Sequence, residues 1–153
     1  MVDLDDVAEL ATANGHLAVV STVRADGTVQ ASLVSAGVSA HPLTGRKVLA
    51  FVAAGRVKLA NLRARPTATV AFQHRWNWIA VEGTAELAGP DDTGLGLSAG
   101  QLTALLRTIF SDAAGTHDDW PTYDRTMIRE RRAAVLIKPT RIYANPRVRE
   151  TRR

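Results

Sequence analysis

The sequence predicts a mainly β domain: an antiparallel barrel of six or seven strands with three or four helices beside it. Short runs rich in β-branched residues follow one another, with turn signals between them. No sustained alternation of strand and helix is present, which argues against a doubly wound parallel sheet. The 153 residues, of which 46% are hydrophobic, are enough to bury one core.

The first third of the chain predicts one helix followed by three strands. Asp3 precedes residues with helical spacing and is suited to cap their first turn. Asp26 and Gly27 separate two β-rich runs, which is a strong hairpin signal. The expected elements are a helix at 3–13 and strands at 16–23, 28–38 and 47–53, the last buried on both faces.

The rest of the chain predicts a short helix, two strands, two longer helices and two short closing strands. The short helix ends before Pro66, because the residue before a proline is disfavoured in the helical region. The expected elements are helices at 56–64, 98–111 and 120–131, and strands at 67–73, 76–87, 133–137 and 142–143.

Charge and composition set the expected class and compartment. The chain divides into a domain at 1–145 and a basic tail at 146–153, and the tail carries three of the four net positive charges. The nearly neutral body argues against nucleic-acid binding. No apolar run reaches the roughly 18 to 20 residues of a membrane span, and the acidic N-terminal residues do not resemble a secretory signal. The absence of cysteine fits a reducing compartment, so a cytoplasmic protein without membrane association is expected.

Common catalytic and metal-binding motifs are absent from the sequence. The four histidines are far apart, and none has a partner at metal-ligand spacing, so no metal site is predicted. His117-Asp118-Asp119 is interpreted as a cap of the helix that follows. No Gly-x-Ser-x-Gly elbow, P-loop or dinucleotide fingerprint occurs, and no catalytic residue is predicted.

Residues 55–66 are the main candidate for binding chemistry. Gly55 allows a sharp exit from a buried strand, and the first amides of the helix that follows are unpaired. Such a helix start attracts anions, and Arg56 and Lys58 add positive charge to its first turn. Taken alone, however, the segment fits an ordinary amphipathic helix with solvated charges better than it fits an anion site.

The order of several motifs resembles the pyridoxamine-5′-phosphate-oxidase-like split-barrel superfamily, and within it the branch that uses the deazaflavin F420. The resemblance extends over roughly residues 3–145. The motifs that carry it are, in chain order, the hairpin at 17–32, Gly55-Arg56-Val57-Lys58, Asn61-Leu62-Arg63, Pro66, Trp76-x-Trp78, Val81-Glu82-Gly83, His117-Asp118-Asp119-Trp120, Tyr123 and Arg131-Arg132.

This resemblance implies a homodimer with each cofactor in a groove between the subunits, and a small-molecule substrate. It implies that Arg56 and Lys58 bind the cofactor phosphate, with Asn61 nearby, and that residues 30–34 lie along the ring system. The predicted cofactor-binding residues are Gln30, Ala31, Ser32, Val34, Val52, Ala53, Arg56, Lys58, Asn61, Trp76 and Trp78.

Strand periodicity refines these expectations. Gln30, Ser32 and Val34 share one strand face, which is expected to border the groove; a solvent-facing strand side is the alternative. Trp76 and Trp78 share a face and are expected to wall the groove or to be buried at the dimer interface. Phe51 stands where relatives often carry a small hydroxyl residue, and we expect it to crowd the approach of the phosphate.

Three functions follow as hypotheses. The first is hydride transfer from reduced F420 to a conjugated acceptor such as a quinone, an enone or a biliverdin-like tetrapyrrole, for which the cofactor supplies the reactive carbon. The second is an FMN enzyme of the same superfamily, either an oxidase-like protein or a flavin reductase. The third is a non-catalytic carrier or sensor of the cofactor. The residues 94–131 are expected to shape the substrate side of the groove.

Overall fold

The structure is a computed structural model that describes residues 1–146, which form six strands and four helices. The predicted basic tail, 146–153, lies outside the described residues except for Pro146. The elements are α1 (Leu4–Ala13), β1 (Leu17–Val23), β2 (Val29–Ala40), β3 (Lys47–Ala53), α2 (Arg56–Ala64), β4 (Thr67–His74), β5 (Asn77–Ala88), α3 (Ala99–Ala114), α4 (Trp120–Arg129) and β6 (Ala133–Ala144).

The six strands close into an antiparallel barrel in the order β1-β2-β3-β6-β5-β4. The hairpin of β1 and β2 turns at Gly27, whose φ of 87° lies in the left-handed region that favours glycine. The hairpin of β4 and β5 pairs His74 with Asn77. The predicted antiparallel barrel with flanking helices is therefore confirmed.

Apolar side chains of the barrel form two cores. The larger one fills the barrel interior and extends to α1, whose start is capped by the Asp3 carboxylate accepting from the amides of Asp5 and Asp6. The second core lies outside the barrel, where α3 and α4 pack on β3 and β6. Strand β3 contributes to both, with Phe51 in the interior and Ala50 in the outer core, which confirms that it is buried on both faces.

The last strand corrects the sequence interpretation, which placed two short strands around Pro139. The structure has one continuous strand, β6, which pairs with β3 from Ala133 to Ile137 and with β5 from Ala134 to Ala144, with one register shift. Pro139 lies beyond the end of the pairing with β3, so its missing N–H costs no bond on that side. A register shift between Glu82 and Gly83 lies opposite this point and accommodates the proline.

Helix α3 lies close against β2 at one glycine. A Cβ atom built on Gly37 would lie 2.3 Å from the backbone oxygen of Asp112, so this approach requires the absence of a side chain. The Ser39 hydroxyl donates to the Asp112 carboxylate at 2.6 Å and holds the C-terminal part of α3 in place. No helix within residues 1–146 is long and apolar enough to cross a membrane.

Candidate functional site

A cavity of about 630 Å³ lies outside the barrel, between β2, β3, the start of α2 and the pair of helices α3 and α4. This volume is within the usual range for pockets that bind a cofactor or a drug-sized ligand. The polar and aromatic residues that line it are Ser35, Lys58, Phe110, His117, Tyr123 and Arg132.

Lys58 is the buried cation of this cavity. Its side chain lies in the first turn of α2 and the residue is only 8% exposed. Within residues 1–146 its ammonium forms no hydrogen bond or ion pair, and it lies 5.9 Å from the centre of the Phe51 ring, above the ring face. Burial, and then the neighbouring charge of Arg132, lower the pKa of Lys58 below that of an ordinary lysine.

The start of α2 presents backbone donors to the same cavity. Gly55 is the N-cap residue, and it provides no side chain to accept from the first amides of the helix. No acidic residue lies in the first turn of α2. Gly55 itself lines the cavity, so the free amides and the positive end of the helix dipole lie at its wall.

The charges at the cavity wall are all of one sign. Of the residues in the described chain that line it, none is acidic, whereas Lys58 and Arg132 are both basic. A buried lysine ordinarily needs an acidic partner or loses its charge. The site thus has the composition of an anion-binding pocket, with a buried cation whose counter-ion is not supplied by residues 1–146.

Four of the predicted cofactor-binding residues meet at this cavity: Val34, Val52, Ala53 and Lys58. Arg56 is exposed on the first turn of α2, beside the cavity but outside its lining. The other predicted residues do not line the cavity, and their contact with a cofactor stays a prediction; they are Gln30, Ala31, Ser32, Asn61, Trp76 and Trp78.

Asn61 belongs to a buried network between α2 and the barrel. Its amide donates to the Thr22 hydroxyl at 3.0 Å, and Thr22 donates to the side-chain oxygen of Gln30 at 3.3 Å. Arg65 donates to the Asn61 oxygen at 3.3 Å and to the carbonyl of Val23 at 2.8 Å. In this structure the polar groups of Gln30 and Asn61 therefore fasten α2 to the rim of the barrel.

The face of β2 that was expected to border the groove turns towards the barrel interior. Gln30, Ser32 and Val34 do share one side, as predicted, but Val34 packs in the interior core and the Ser32 hydroxyl is buried. The reason is the pairing with β1, whose residues Val20 and Thr22 lie opposite on the same inward side. The alternate residues of β2 form its outer face, including Ala31.

Two aromatic expectations have different outcomes. Phe51 does not line the cavity, because its fully buried ring lies in the barrel interior under the Lys58 ammonium; its effect on the approach of a phosphate stays a prediction. Trp76 is 81% exposed, and Trp78 packs edge-on against Tyr143 with ring centres 6.1 Å apart. Both tryptophans remain available to a partner subunit.

The predicted cofactor-binding residues did not include those that α3, α4 and the residues flanking α4 bring to the cavity. Phe110, His117, Tyr123 and Arg132 lie more than fifty positions after Lys58, and the helix pair places them on the opposite wall. For His117, Tyr123 and Arg132, the resemblance of the segment from His117 to Arg132 to the family was the sequence signal that could have identified them. The expectation that residues 94–131 shape one side of the groove agrees with this placement.

A second cavity of about 410 Å³ lies between α3 and α4 and shares Met127 and Arg132 with the first. Each charged residue in its lining has a partner: Asp124 accepts from Arg107 at 3.0 Å, and Arg131 donates to Asp91 at 3.0 Å. Arg132 donates to Glu130 at 2.8 Å. With these charges paired, the second cavity lacks a free cation for a phosphate.

The chain is similar in sequence or in structure to several known proteins. Residues 5–145 match the family model described as pyridoxamine 5′-phosphate oxidase. A conserved hypothetical protein from Mycobacterium tuberculosis has a similar structure, with a TM-score of 0.64 at 16% sequence identity; the match covers 94% of this chain and 84% of that chain.

Two further solved structures carry functional descriptions. An F420 reductase matches with a TM-score of 0.56 at 21% identity, over 84% of this chain and 90% of that chain. An FMN-binding protein related to pyridoxamine 5′-phosphate oxidase, from Nostoc punctiforme, matches with a TM-score of 0.59 at 13% identity, over 92% and 81%. At these identities the likeness shows the shared fold.

Proposed function

The chain belongs to the pyridoxamine 5′-phosphate oxidase family, and we propose that it is an oxidoreductase that binds the deazaflavin F420 and serves hydride transfer to a conjugated organic acceptor. The acceptors we consider are quinones, enones and biliverdin-like tetrapyrroles. The observation that carries the proposal is the buried Lys58, which faces a large cavity and has no acidic partner within residues 1–146.

A phosphate group matches the donors at the start of α2. The Lys58 ammonium and the free amides of the first turn supply one charge-assisted and several neutral hydrogen bonds. Arg56, exposed on the same turn, is placed to add a guanidinium from the solvent side. An anion bound here would balance the charge of Lys58, which has no acidic partner within residues 1–146, so the residues present fit the phosphate of a flavin-type cofactor.

When bound, the reduced deazaflavin supplies the hydride, and the chain supplies position and a dry pocket. Val34, Val52 and Ala53 form the apolar wall between the phosphate end and the rest of the cavity. The aromatic residues of α3 and α4 close the opposite side. We assign no catalytic residue to the chain, because hydride transfer needs no protein nucleophile.

The choice of F420 over FMN rests on the resemblance of the whole motif order to the F420 branch, including the hairpin at 17–32 and the segment from His117 to Arg132. An F420 reductase and an FMN-binding protein are both among the structural relatives, so the fold is compatible with either cofactor. FMN is therefore the alternative that the experiment must separate.

We also propose a homodimer, from an apolar patch on the outer face of the barrel. Val19 and Leu33 lie directly opposite each other on β1 and β2 and are 44% and 64% exposed. The patch continues onto β4 at Ala71, which pairs with Val19. Large exposed apolar surfaces of this kind are typical of protein interfaces. Since Leu33 also lines the cavity, a second copy on this patch would cover one side of the cofactor site.

The test is a titration of the purified protein with F420 and with FMN, followed by absorbance and fluorescence, on wild type and on Lys58→Met. The matched control is Lys138→Met, which removes an exposed lysine of β6. We expect F420 to bind more tightly than FMN, and Lys58→Met to weaken its binding by about 10- to 100-fold, the scale of one charge-assisted hydrogen bond.

Three results would overturn parts of the proposal. Equal binding to Lys58→Met and wild type would place the phosphate elsewhere. Tight FMN binding with no response to F420 would establish the FMN alternative. Tight F420 binding, with no oxidation of the reduced cofactor by quinone, enone or biliverdin acceptors, would favour a carrier or sensor.

A further inference from the structure

One wall of the cavity is aromatic and is formed by the helix pair α3 and α4. Phe110, His117 and Tyr123 all line the cavity, and the Trp120 ring contacts each of them. The four rings contact one another, with centres 5.2 to 6.0 Å apart. Contacting aromatic rings of this kind form a stable packed cluster and favour flat ligands at their surface.

The His117 ring is held in one orientation and one tautomer. Its Nδ1 atom accepts a hydrogen bond from the backbone amide of Asp119 at 3.0 Å, so the ring hydrogen lies on Nε2. The ring stacks on Trp120 with 29° between the planes. Asp119 is itself fixed as the N-cap of α4 by accepting from the amide and the hydroxyl of Thr122.

The Nε2–H of His117 is an unused donor. Within residues 1–146 it has no hydrogen-bond partner. Of the other polar groups that line the cavity on this side, the Tyr123 hydroxyl donates to the carbonyl of Leu106 at 2.9 Å, and Arg132 carries a charge and pairs with Glu130. Burial also raises the pKa of Tyr123 to about 12, which keeps its hydroxyl neutral. Among the aromatic side chains that line the cavity within residues 1–146, His117 thus has a ring N–H donor with no protein partner.

We propose that His117 binds the acceptor substrate: a planar conjugated carbonyl compound lies against the aromatic wall, and the Nε2–H of His117 donates to its oxygen. The proposal rests on the proposed function, because it takes the second ligand of the cavity to be the acceptor. A neutral donor at this oxygen stabilises the negative charge that develops there when a conjugated carbonyl is reduced. Lys58, on the opposite wall, remains committed to the phosphate.

Two substitutions of His117 test the roles of its two ring nitrogen atoms separately. His117→Gln extends an amide to the position of Nε2 and retains a donor there. His117→Asn reproduces the acceptor at Nδ1, so it keeps the bond from Asp119 but loses the donor to the cavity. His74→Asn, in the β4–β5 hairpin, is the control for the same change outside the cavity.

The probe is menadione, a planar quinone, and its dissociation constant is measured by equilibrium dialysis with and without oxidised F420, so that no turnover occurs. We expect His117→Asn to bind menadione about tenfold more weakly than wild type, and His117→Gln within about threefold, as for one neutral hydrogen bond. F420 affinity should be unchanged in both variants.

A ring-nitrogen NMR spectrum gives a readout that does not depend on cofactor or turnover. The signals lost in His117→Gln identify His117, and we expect them to show hydrogen on Nε2. Hydrogen on Nδ1, or equal menadione affinity in wild type and His117→Asn, would overturn the proposal. If the wild type fails to bind F420 and yet the menadione and NMR results hold, the proposed cofactor is wrong while His117 remains the acceptor ligand.

Discussion

The Nζ atom of Lys58 lies 5.9 Å from the centre of the Phe51 ring, at the boundary between the barrel core and the cavity. The ring is fully buried and offers its negative face to the ammonium, which is the favourable geometry for a cation–π contact. This contact replaces only part of the hydration that Lys58 loses on burial, and burial accordingly lowers the pKa of Lys58. Burial of the Lys58 charge therefore lowers the folding stability of the cofactor-free protein.

Replacement of Lys58 by methionine should have opposite effects on stability and on binding. A lowered lysine pKa means that the folded protein disfavours the charged form, so removing the charge should stabilise the cofactor-free protein. The same change should weaken F420 binding by about 10- to 100-fold. Urea unfolding and cofactor titration measure the two effects, and Lys138→Met should change neither. A loss of stability in Lys58→Met would contradict the assignment of an unpaired buried charge.

As pH rises, cofactor affinity should begin to fall at a lower pH than it would if the phosphate ligand were a lysine with an ordinary pKa. The folded-state pKa of Lys58 lies below 10.5, so the ammonium loses its proton, and its attraction for phosphate, as pH rises through that lowered value. Over the same rise the cofactor-free protein should gain stability relative to its unfolded state, because the penalty of the buried charge disappears. Titrations from pH 7.5 to 10.5 test this. The pH step should vanish in Lys58→Met, and an affinity that stays constant up to pH 10.5 would refute it.

Gly37→Ala should loosen α3 from the barrel. The added Cβ atom would lie 2.3 Å from the backbone oxygen of Asp112, so the helix must shift, at a cost of about 1 to 3 kcal/mol. Because α3 carries Phe110 to the cavity, F420 binding should weaken as well. Gly94→Ala is the control, since its Cβ would meet nothing within 4 Å. Equal melting temperatures for the two variants would show that α3 does not pack as described.

Val19→Lys should convert the proposed dimer into a monomer. The substitution places a charge at the centre of the apolar patch, opposite Leu33, where a second copy would bury it without a partner. Light scattering after gel filtration measures the change, and F420 affinity should decrease because the partner covers one side of the site. Leu43→Lys alters an exposed leucine in the β2–β3 turn and should leave the mass unchanged. A monomeric wild type would remove the basis for the dimer.

Asn61→Ala should destabilise the protein, because the buried Thr22 hydroxyl loses the donor that reaches it from α2. The expected loss is about 1 to 3 kcal/mol, the cost of an unsatisfied buried polar group. Chemical unfolding of Asn61→Ala, Thr22→Val and the double variant measures the coupling. Since the two groups act as one unit, the double variant should cost less than the sum of the single changes. Strict additivity would mean that the network does not fasten α2.

Most individual elements were predictable because their signals are local. Strand β3 and helix α2 were predicted with the bounds that the structure has, since Gly55 and Pro66 mark the limits of the helix. The closing strand β6 was not predicted as one strand. A proline is compatible with a strand at a point where the neighbouring strand has ended, and the end of the pairing between β3 and β6 is set only by the closed barrel. The first turn of α2, with Arg56 and Lys58, was predictable for the same local reason, whereas its binding of a phosphate stays a prediction.

The sequence by itself determined the antiparallel barrel and the flanking helices, because turn residues, periodicity and helix starts are all properties of short segments. Lys58 became the candidate anion ligand through the resemblance to the family, since its segment taken alone fits an ordinary amphipathic helix better. Only the tertiary structure decided which residues share the cavity with Lys58. Closure of the barrel turned Gln30 and Ser32 inward, and the packing of α3 and α4 brought His117 to the wall facing α2. The placement of His117 opposite Lys58 depends on contacts between segments more than fifty residues apart, for which the local sequence pattern carries no signal.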